Sequence, residues 1–208
     1  KEMLIINQIQ IVNSIIRKDG DYNFYIASGI LYGEIWPNGA DNGSWIRFQG
    51  NSNIAANTWA HVAFTWDKAT NTPKLFVNGV SQSISILNNI IPASSLLLIG
   101  RSNIYDQPFG GSMDEVRIWN RALAQCEIQN NSNGELYLPQ TGLLAYYKMN
   151  QGFVGNNNST VNTLTDLSGN SRTGSLLNFA LTGTTSNWAA GTVIGTAPTF
   201  VPPTVSAS

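Results

Sequence analysis

The chain has 208 residues, only 11% of them charged, and a formal net charge of −1 at pH 7. Because it has no basic block, it lacks the positive surface that phosphate binding requires, and we expect no nucleic-acid partner. A single cysteine, Cys126, excludes an internal disulfide and a cysteine-rich zinc site. No apolar run is long enough to span a membrane, so we expect no membrane insertion. Low charge combined with many Asn, Ser and Thr residues is typical of an extracellular or cell-surface β protein.

The first half of the chain predicts short strands separated by turns. Residues 22–27 and 30–36 form a hairpin, since Ser28 and Gly29 between them are a turn signal. On the second of these strands, alternate residues from 30 to 36 should share a face. Further strands are predicted at residues 3–16, 45–49, 57–66, 74–78, 83–87 and 96–99, with a polar loop at 37–44. The short apolar run at the start does not qualify as a signal peptide, so we expect any export signal to have been removed or to lie outside this sequence.

Residues 109–123 combine a glycine turn, a strand and the entry to a helix. Gly110 and Gly111 allow a close backbone approach that a Cβ would block. The side chains of residues 114–119 alternate, so the even-numbered positions should face one way and the odd-numbered positions the other. After residue 120 the apolar spacing becomes helical, which predicts one short helix.

The second half adds two strands, at residues 142–148 and 174–181, joined by a loop rich in Asn, Ser and Thr. About ten short strands, with a turn roughly every 8–12 residues and one minor helix, predict an all-β antiparallel sandwich. Towards the end the composition changes to Gly, Thr, Pro and Ser. Residues 191–208 are therefore predicted to be a linker to other domains of the same polypeptide.

Four motifs occur in order at residues 59–67, 75–79, 98–101 and, most specifically, 109–123. In their order and spacing they resemble the laminin-G-like, concanavalin-A-like jelly-roll domains of bacterial surface and secreted proteins. The resemblance covers about residues 13–135 and implies a two-sheet antiparallel jelly roll. Two later segments, 142–147 and 166–170, resemble the segment with which such domains often begin.

The chain departs from this family pattern in three places. The usual opening strand is not recognisable in residues 1–13, and the segment that often opens such domains stands near the end. Ala124 replaces a serine that would pair with Glu127 in a capping box, so that cap is expected to be lost. Residues 140–190 either fold back to complete one sandwich over residues 1–190 or open a second domain that is cut short. We expect the first, because a fragment of about fifty residues would not bury a core alone.

The loop at 37–44 and the strands on either side of it form the candidate ligand site. Sugars bind where aromatic faces stack on their C–H surfaces and where amides or carboxylates bond their hydroxyls. The residues that offer these groups are Tyr32, Glu34, Trp36, Asn38, Asp41, Trp45 and Arg47. The alternative is that both tryptophans pack between the sheets, since most tryptophans of a sandwich belong to its core.

Structural calcium is the one cofactor that the residues suggest. Ca²⁺ binds oxygen ligands from carboxylates, amides and carbonyls. Asp166 and Asn170 supply such oxygens on one turn, Asp19 and Asp21 on another, and Asp114 follows the glycine turn. The resemblance also implies a calcium at a loop edge, as in similar domains. A plain Asx turn at Asp166 is the alternative.

No catalytic group stands out from the sequence. His61 is interpreted as a half-buried structural histidine bonded to a neighbouring strand, since nothing nominates a nucleophile or an orienting carboxylate for it. Asp114 and Glu115 are adjacent, so on a strand they face opposite sides and cannot flank one glycosidic bond. Cys126 is interpreted as a small core residue on the apolar side of the helix.

These observations predict a non-catalytic module that binds carbohydrate or mediates adhesion within a larger secreted or cell-surface protein. Two alternatives stay open. The first is a structural spacer with no ligand of its own. The second, which the missing carboxylate pair disfavours, is a glycoside hydrolase or lyase.

Overall fold

The computed structural model describes residues 2–8, 12–18, 20–36, 46–88, 96–102 and 108–191. Most of its regular structure consists of β-strands. The first nine strands are β1 Glu2–Gln8, β2 Val12–Lys18, β3 Tyr22–Ala27, β4 Ile30–Ile35, β5 Ile46–Asn53, β6 Ala60–Asp67, β7 Thr72–Val77, β8 Val80–Ser81 and β9 Ser85–Asn88. They are followed by β10 Leu97–Ile99, β11 Gly111–Asp114, β12 Val116–Trp119, helix α1 Gln125–Asn131, β13 Leu143–Tyr147, β14 Thr163–Leu164 and β15 Gly174–Ser175. No helix in these ranges is long and apolar enough to cross a membrane.

Two antiparallel sheets form the sandwich. One has five strands in the order β11-β1-β6-β7-β8, and the other has six in the order β10-β2-β3-β4-β5-β9. The predicted all-β fold with one short helix is confirmed for the described part of the chain. The single strand predicted at residues 3–16 is wrong, because β1 and β2 belong to different sheets. Each is hydrophobic enough to serve as a strand, and only the pairing partners decide which sheet each one joins.

The main core lies between the two sheets and contains three phenylalanine rings. Phe64 of the five-stranded sheet packs against Phe24 and Phe48 of the six-stranded sheet, with ring centroids 6.0 and 5.2 Å away. Each fully buried ring of this kind contributes about 1.5–3 kcal/mol of transfer free energy. Gly33 faces Phe48 across β4 and β5, and a Cβ at Gly33 would lie 2.4 Å from that ring. Any larger residue at position 33 would collide with the Phe48 ring, so this position of β4 requires glycine.

A second core covers the outer face of the five-stranded sheet. Ala63 and Phe76 of that sheet pack there against α1 and the β12–β13 pair, which contribute Trp119, Ile128 and Tyr146. We call this outer side of the five-stranded sheet the covered face. The alternation predicted for residues 116–119 is confirmed, since Val116 and Ile118 join the main core and Trp119 joins the second. Glu115 takes a positive φ of 55° and separates β11 from β12, so the predicted strand is interrupted there.

The N-terminus of α1 keeps half of a capping box. Ala124 has no side-chain oxygen to cap the helix, as its replacement of serine predicts. The other half is present, because the backbone N–H of Ala124 donates to Glu127 Oε2 at 2.8 Å. Arg121 holds the same carboxylate in a two-pronged ion pair, at 2.7 and 3.0 Å. The expected loss of the cap is thus correct for one half of the capping box, in which a serine side chain at 124 would have accepted the backbone N–H of Glu127.

Residues beyond α1 remain attached to the sandwich. β13 pairs antiparallel with β12, and Leu164 of β14 is buried in the main core with Trp188 packed against it. The strand predicted at 174–181 is shorter in the structure, where only Gly174–Ser175 pairs with β14. The extent of the sandwich to residue 190 and the linker character of 191–208 stay predictions.

Candidate ligand-binding face

Period-2 alternation places polar and aromatic side chains on the outer side of the six-stranded sheet. In β3 and β4 the residues between them, among which are Phe24, Ile26 and Leu31, point into the core. We call this outer side the tyrosine face. It carries Ser14, Arg17, Asn23, Tyr25, Tyr32, Glu34, Arg47 and Gln49.

Strand register arranges these side chains in two rows that cross the sheet. The ring row runs from β2 to β9 through Ser14, Tyr25, Tyr32, Gln49 and Ser85. The charged row runs beside it from β2 to β5 through Arg17, Asn23, Glu34 and Arg47. Directly opposed residues on neighbouring strands lie within contact distance, so each row is a continuous strip of side chains.

Glu34 is the hub of the charged row. It is only 4% exposed, and its carboxylate accepts hydrogen bonds from Asn23 Nδ2 at 3.0 Å, Tyr25 Oη at 3.0 Å and Arg47 Nε at 2.9 Å. A buried carboxylate needs such donors, because desolvation of an unpaired charge costs several kcal/mol. Glu34 therefore links the charged row to the ring row through the Tyr25 hydroxyl.

Tyr25 and Tyr32 form the aromatic part of the face. Their rings stack with centroids 5.0 Å apart and an angle of 6° between the planes, and both side chains are half-buried. Burial, followed by the Glu34 charge, raises the pKa of Tyr25 far above its usual range. The Tyr25 hydroxyl consequently stays protonated and donates a hydrogen bond to Glu34 throughout the physiological pH range.

Arg47 completes the charged row and stays partly exposed. Burial acts to lower the pKa of its guanidinium, but the Tyr25 and Glu34 oxygens outweigh that effect and hold the pKa above its usual value. The Arg47 side chain is 34% exposed, whereas the Glu34 side chain is 5% exposed. The negative partner of the pair is thus buried and the positive partner is partly exposed.

Of the predicted ligand-binding residues, the structure brings Tyr32, Glu34 and Arg47 together on this face. Tyr25 and Asn23, which touch them, were not predicted. The signal for both was present, because a hairpin turning at residues 28 and 29 places residue 25 opposite 32 and residue 23 opposite 34.

Trp36, the first of the two predicted tryptophans, is 4% exposed, so its ring presents no open face on which a sugar could stack. This burial agrees with the alternative that the tryptophan packs into the sandwich. Asn38, Asp41 and Trp45 lie outside the described residues. Their part in ligand binding stays a prediction.

Asp166, the first calcium candidate, already has four hydrogen-bond donors around its carboxylate. Oδ1 accepts the backbone N–H groups of Tyr146 and Ser168, both at 2.9 Å, and the second of these bonds makes an Asx turn. Oδ2 accepts the Ser168 hydroxyl and the Arg172 N–H, also at 2.9 Å. Although burial acts to raise the pKa of Asp166, the backbone N–H groups of Arg172, Ser168 and Tyr146 hold it below its usual value. The geometry favours the Asx turn, and calcium here stays a prediction.

Two of the other calcium candidates, Asn170 and Asp21, have protein partners in the structure. Asn170 donates its amide to the carbonyls of Leu143 and Leu144, and Asp21 forms an ion pair with Lys18. Asp19 lies outside the described residues. Within the described ranges, no three His, Cys, Asp or Glu side chains gather into a group that could hold a metal ion.

Asp114 lies on the other sheet, where β11 pairs with β1 opposite Ile5. Its Oδ1 accepts the N–H of Glu115 at 2.9 Å. Burial, and then the negative charge of Glu115, raises the pKa of Asp114 to about 6. The Glu115 carboxylate is bound by Arg117 and Tyr146 instead.

The covered face contains a separate buried network around Arg117, which is 1% exposed. Arg117 donates to Glu115 Oε2 and to the carbonyl of Asn131, both at 2.7 Å, and also to the carbonyl of Gly134. Tyr146 donates its hydroxyl to Glu115 Oε2 at 2.6 Å. These bonds tie the turn after α1 to β12 and β13. Their role is structural, because the side chains of Glu115, Arg117 and Tyr146 are buried.

His61 lies on the covered face, in the neighbourhood of Arg117. It is 5% exposed, and neither ring nitrogen has a hydrogen-bond partner among the described residues, so the expected side-chain bond to a neighbouring strand is not found there. Its backbone N–H donates to Asn78 Oδ1 at 2.9 Å. Burial, and then the Arg117 charge, lowers the pKa of His61 to about 3. The imidazole is therefore neutral and out of reach of any substrate.

Cys126 is exposed, which corrects its assignment to the core. On α1 the buried position is Ile128. Residues two apart on an α-helix point about 200° apart, so a thiol at 126 faces away from the sheet. Helical spacing alone did not distinguish the two faces of so short a helix.

Comparison with solved structures shows where this fold occurs. A crystal structure from Bacteroides ovatus, provisionally described as a carbohydrate binding protein, superposes with a TM-score of 0.64 at 22% identity and covers 85% of this chain. The chain spans half the length of that protein. This level of identity establishes the fold alone.

Two further structures superpose more loosely. The carbohydrate-binding module CBM40 of a Ruminococcus gnavus sialidase, bound to α2,3-sialyllactose, has a TM-score of 0.45 at 16% identity and covers 62% of this chain and 80% of its own. A pentraxin from Limulus polyphemus has a TM-score of 0.45 at 14% identity and covers 62% of this chain and 68% of its own. A search of curated protein sequences finds no match.

The family comparison agrees with the fold. A laminin G family model, described as the concanavalin A-like lectin/glucanases superfamily, matches residues 7–129, which is more than half of the chain. The match includes both rows of the tyrosine face and all four motifs on which the family resemblance rests. The chain belongs to the concanavalin A-like lectin/glucanases superfamily.

Proposed function

We propose that this domain binds carbohydrate without chemical change, on the tyrosine face of the six-stranded sheet. The observation that carries the proposal is the stacked Tyr25–Tyr32 pair, half-buried beside Glu34 and Arg47. Aromatic surface next to hydrogen-bonding groups is the combination by which proteins hold sugars. The description of the Bacteroides ovatus protein as carbohydrate binding supports the same function for this fold.

The proposal includes the absence of catalysis. Glycosidases with the usual mechanism need two carboxyl groups on either side of the scissile bond. In the described part of the tyrosine face the carboxylate is Glu34, and its oxygens are occupied by Asn23, Tyr25 and Arg47. We further propose that the domain acts as a module of a larger secreted or cell-surface protein, in carbohydrate binding or adhesion. The low charge and the composition support this placement.

A glycan array followed by affinity electrophoresis tests the proposal. Wild-type protein should be retained by at least one polysaccharide, and Tyr32→Ala should weaken that retention at least about tenfold, as loss of an aromatic anchor does. Tyr137→Ala is the matched control, because Tyr137 is an exposed tyrosine in the segment after α1 and lies off the tyrosine face. Thermal melts of all three proteins establish that each is folded.

Three outcomes would contradict the proposal. Retention by no glycan would leave the domain as a structural spacer. Equal retention of wild type and Tyr32→Ala would move the site elsewhere on the molecule. Release of reducing sugar from a retained glycan would restore the hydrolase alternative.

A further inference from the structure

Residues 142–188, which we call the closing segment, satisfy much of their hydrogen bonding among themselves. Strand β14 pairs with β15, and the backbone N–H of Asn158 donates to the carbonyl of Leu181 at 2.7 Å. The side chain of Asn158 also donates to Asn187 Oδ1, 29 residues away along the chain, at 2.9 Å. These bonds join distant parts of the closing segment, so it coheres as a unit.

The same segment closes one edge of its own strand β13. The N–H of Tyr146 donates to Asp166 Oδ1 at 2.9 Å, and the carbonyl of Tyr146 accepts the N–H of Leu167 at 2.8 Å. The carbonyl of Leu144 accepts the amide of Asn170 at 3.1 Å. The other edge of β13 pairs with β12, and in the described part of the chain these two strands form a sheet of their own. The closing segment therefore presents one open strand edge, which is what strand addition to a partner uses.

The space beside β12 that β13 fills, which we call the slot, needs an occupant. Side chains of β13 enter both cores, with Tyr147 in the main core and Tyr146 in the second. The Tyr146 hydroxyl donates to Glu115 Oε2 at 2.6 Å and accepts the N–H of Leu136 at 3.1 Å. Without β13, the apolar surface of both cores and the buried Glu115 carboxylate would meet water. Filling the slot is therefore strongly favoured, whichever chain supplies the strand.

Residues 137–141, which we call the connector, join the closing segment to the rest of the domain. Tyr137 is 67% exposed and Leu138 is 37% exposed, so neither is anchored in a core. Gln140 donates its amide to the carbonyl of Tyr137, a bond that lies within the connector itself. Exposed loops of this kind tolerate a change of path, because few buried contacts depend on it.

We infer that the slot beside β12 is an interaction surface for the closing segment of a second copy of this chain, so that two copies pair by exchanging these segments. Each contact between segment and slot is the same within one chain as between two, and only the path of the connector differs. The connector gives the segment an effective concentration of about 1 mM at its own slot, so exchange requires protein at a comparable concentration. The inference does not depend on the proposed carbohydrate-binding function.

Refolding at two concentrations, with a connector that can be cut, tests the exchange. The full chain, with a protease recognition sequence inserted between Pro139 and Gln140, is refolded from urea at about 1 mM and at about 10 μM. Size-exclusion chromatography with light scattering should show a dimer only in the concentrated sample. Cutting the connector should then halve the mass, because each half of the dimer holds residues 1–139 of one copy and the closing segment of the other. Absence of a dimer, or a dimer that survives the cut, would overturn the inference and leave the proposed function intact. A second chain, with the site between Tyr137 and Leu138, replaces the first if thermal melts show that the first is unfolded.

A matched pair of tyrosine variants tests whether the slot holds the segment. Cut monomers made with heavy and light nitrogen isotopes are mixed, and native mass spectrometry follows the hybrids that form as closing segments change places. Tyr146→Phe loses the hydroxyl bonds to Glu115 and Leu136, so its hybrids should form at least about tenfold faster. Tyr137→Phe, in the exposed connector, is the control and should exchange at the rate of the unsubstituted chain. Hybrids that form in none of the proteins, or equal rates for the two variants, would overturn the inference.

Discussion

The two outer faces of the sandwich carry the same three chemical groups in different surroundings. On the covered face Arg117 and the Tyr146 hydroxyl donate to Glu115, and on the tyrosine face Arg47 and the Tyr25 hydroxyl donate to Glu34. The side chains of the first ion pair are 1% and 3% exposed, and those of the second are 34% and 5% exposed.

This difference in exposure separates a structural network from a candidate binding surface. Arg117 also donates to the carbonyls of Asn131 and Gly134, so the covered network holds two parts of the chain together. On the tyrosine face a stacked ring pair stands at the surface beside the charges. Identical residue types therefore do not imply an identical role, because burial decides which groups a ligand can reach.

The largest expected effect is on the covered face. Arg117→Met should lower the free energy of unfolding by about 3–5 kcal/mol, since it leaves the buried Glu115 carboxylate without its cation. Urea denaturation measures this change. Arg121→Met is the control, because the Arg121–Glu127 pair is 36% exposed on both sides and such pairs contribute about 0.2–1 kcal/mol. Equal losses in the two variants would contradict the distinction between buried and exposed networks.

The corresponding change on the tyrosine face should affect both stability and binding. Glu34→Ala leaves Asn23, Tyr25 and Arg47 without a shared acceptor, and we expect a loss of about 2–3 kcal/mol in urea denaturation. Retention by glycan should also fall, because the Tyr25 ring loses the bond that orients it. A folded Glu34→Ala protein with wild-type retention would show that Glu34 does not position the ring.

Two groups of the five-stranded sheet should give opposite pH dependences. The pKa of His61 is lowered to about 3, so the unfolded state takes up the proton first and stability is lost as pH falls below 6.5. The loss reaches about 2 kcal/mol at pH 5. The pKa of Asp114 is raised to about 6, so its contribution has the opposite sign: stability is gained as pH falls from 7 to 5, by less than the shift alone implies, because solvent screens the partly exposed carboxyl.

Single variants separate these two contributions in denaturation curves recorded from pH 7.5 to pH 5. Asp114→Asn should become more sensitive to acid than the wild type, because the opposing contribution is removed. His61→Leu should become less sensitive, or gain stability, over the same range. Parallel pH profiles for the wild type and His61→Leu would show that the buried imidazole is not responsible.

The smallest expected effect is a gain in stability at the helix. Ala124→Ser should complete the capping box whose Glu127 half is already in place, and it should raise the free energy of unfolding by about 0.5–1 kcal/mol. Ala122→Ser, just before the helix, is the control and should give no gain. An unchanged urea midpoint for Ala124→Ser would contradict the expected gain and would mean that water already satisfies the backbone N–H of Glu127.

Much of the fold could be predicted from local pattern. The turn at residues 28 and 29 determines the β3–β4 register, and the alternation along 116–119 separates the two cores, because both depend only on neighbours in the chain. The short helix after residue 120 follows from the change in apolar spacing. The opening strand at 3–16 could not be divided in the same way, since its two parts pair with strands distant in sequence.

The candidate site was predicted only in part, for the same reason. Tyr32, Glu34 and Arg47 share a face through strand period and sheet register. The burial of Trp36 and of Arg117, and the exposure of Cys126, depend on which segment packs over each face. The sequence by itself determined most of the strands and turns and the family, because these follow from short-range sterics and alternation. Only the tertiary structure decided which arginine–glutamate pair is sealed inside and which stands at the surface, because desolvation depends on everything packed around a group.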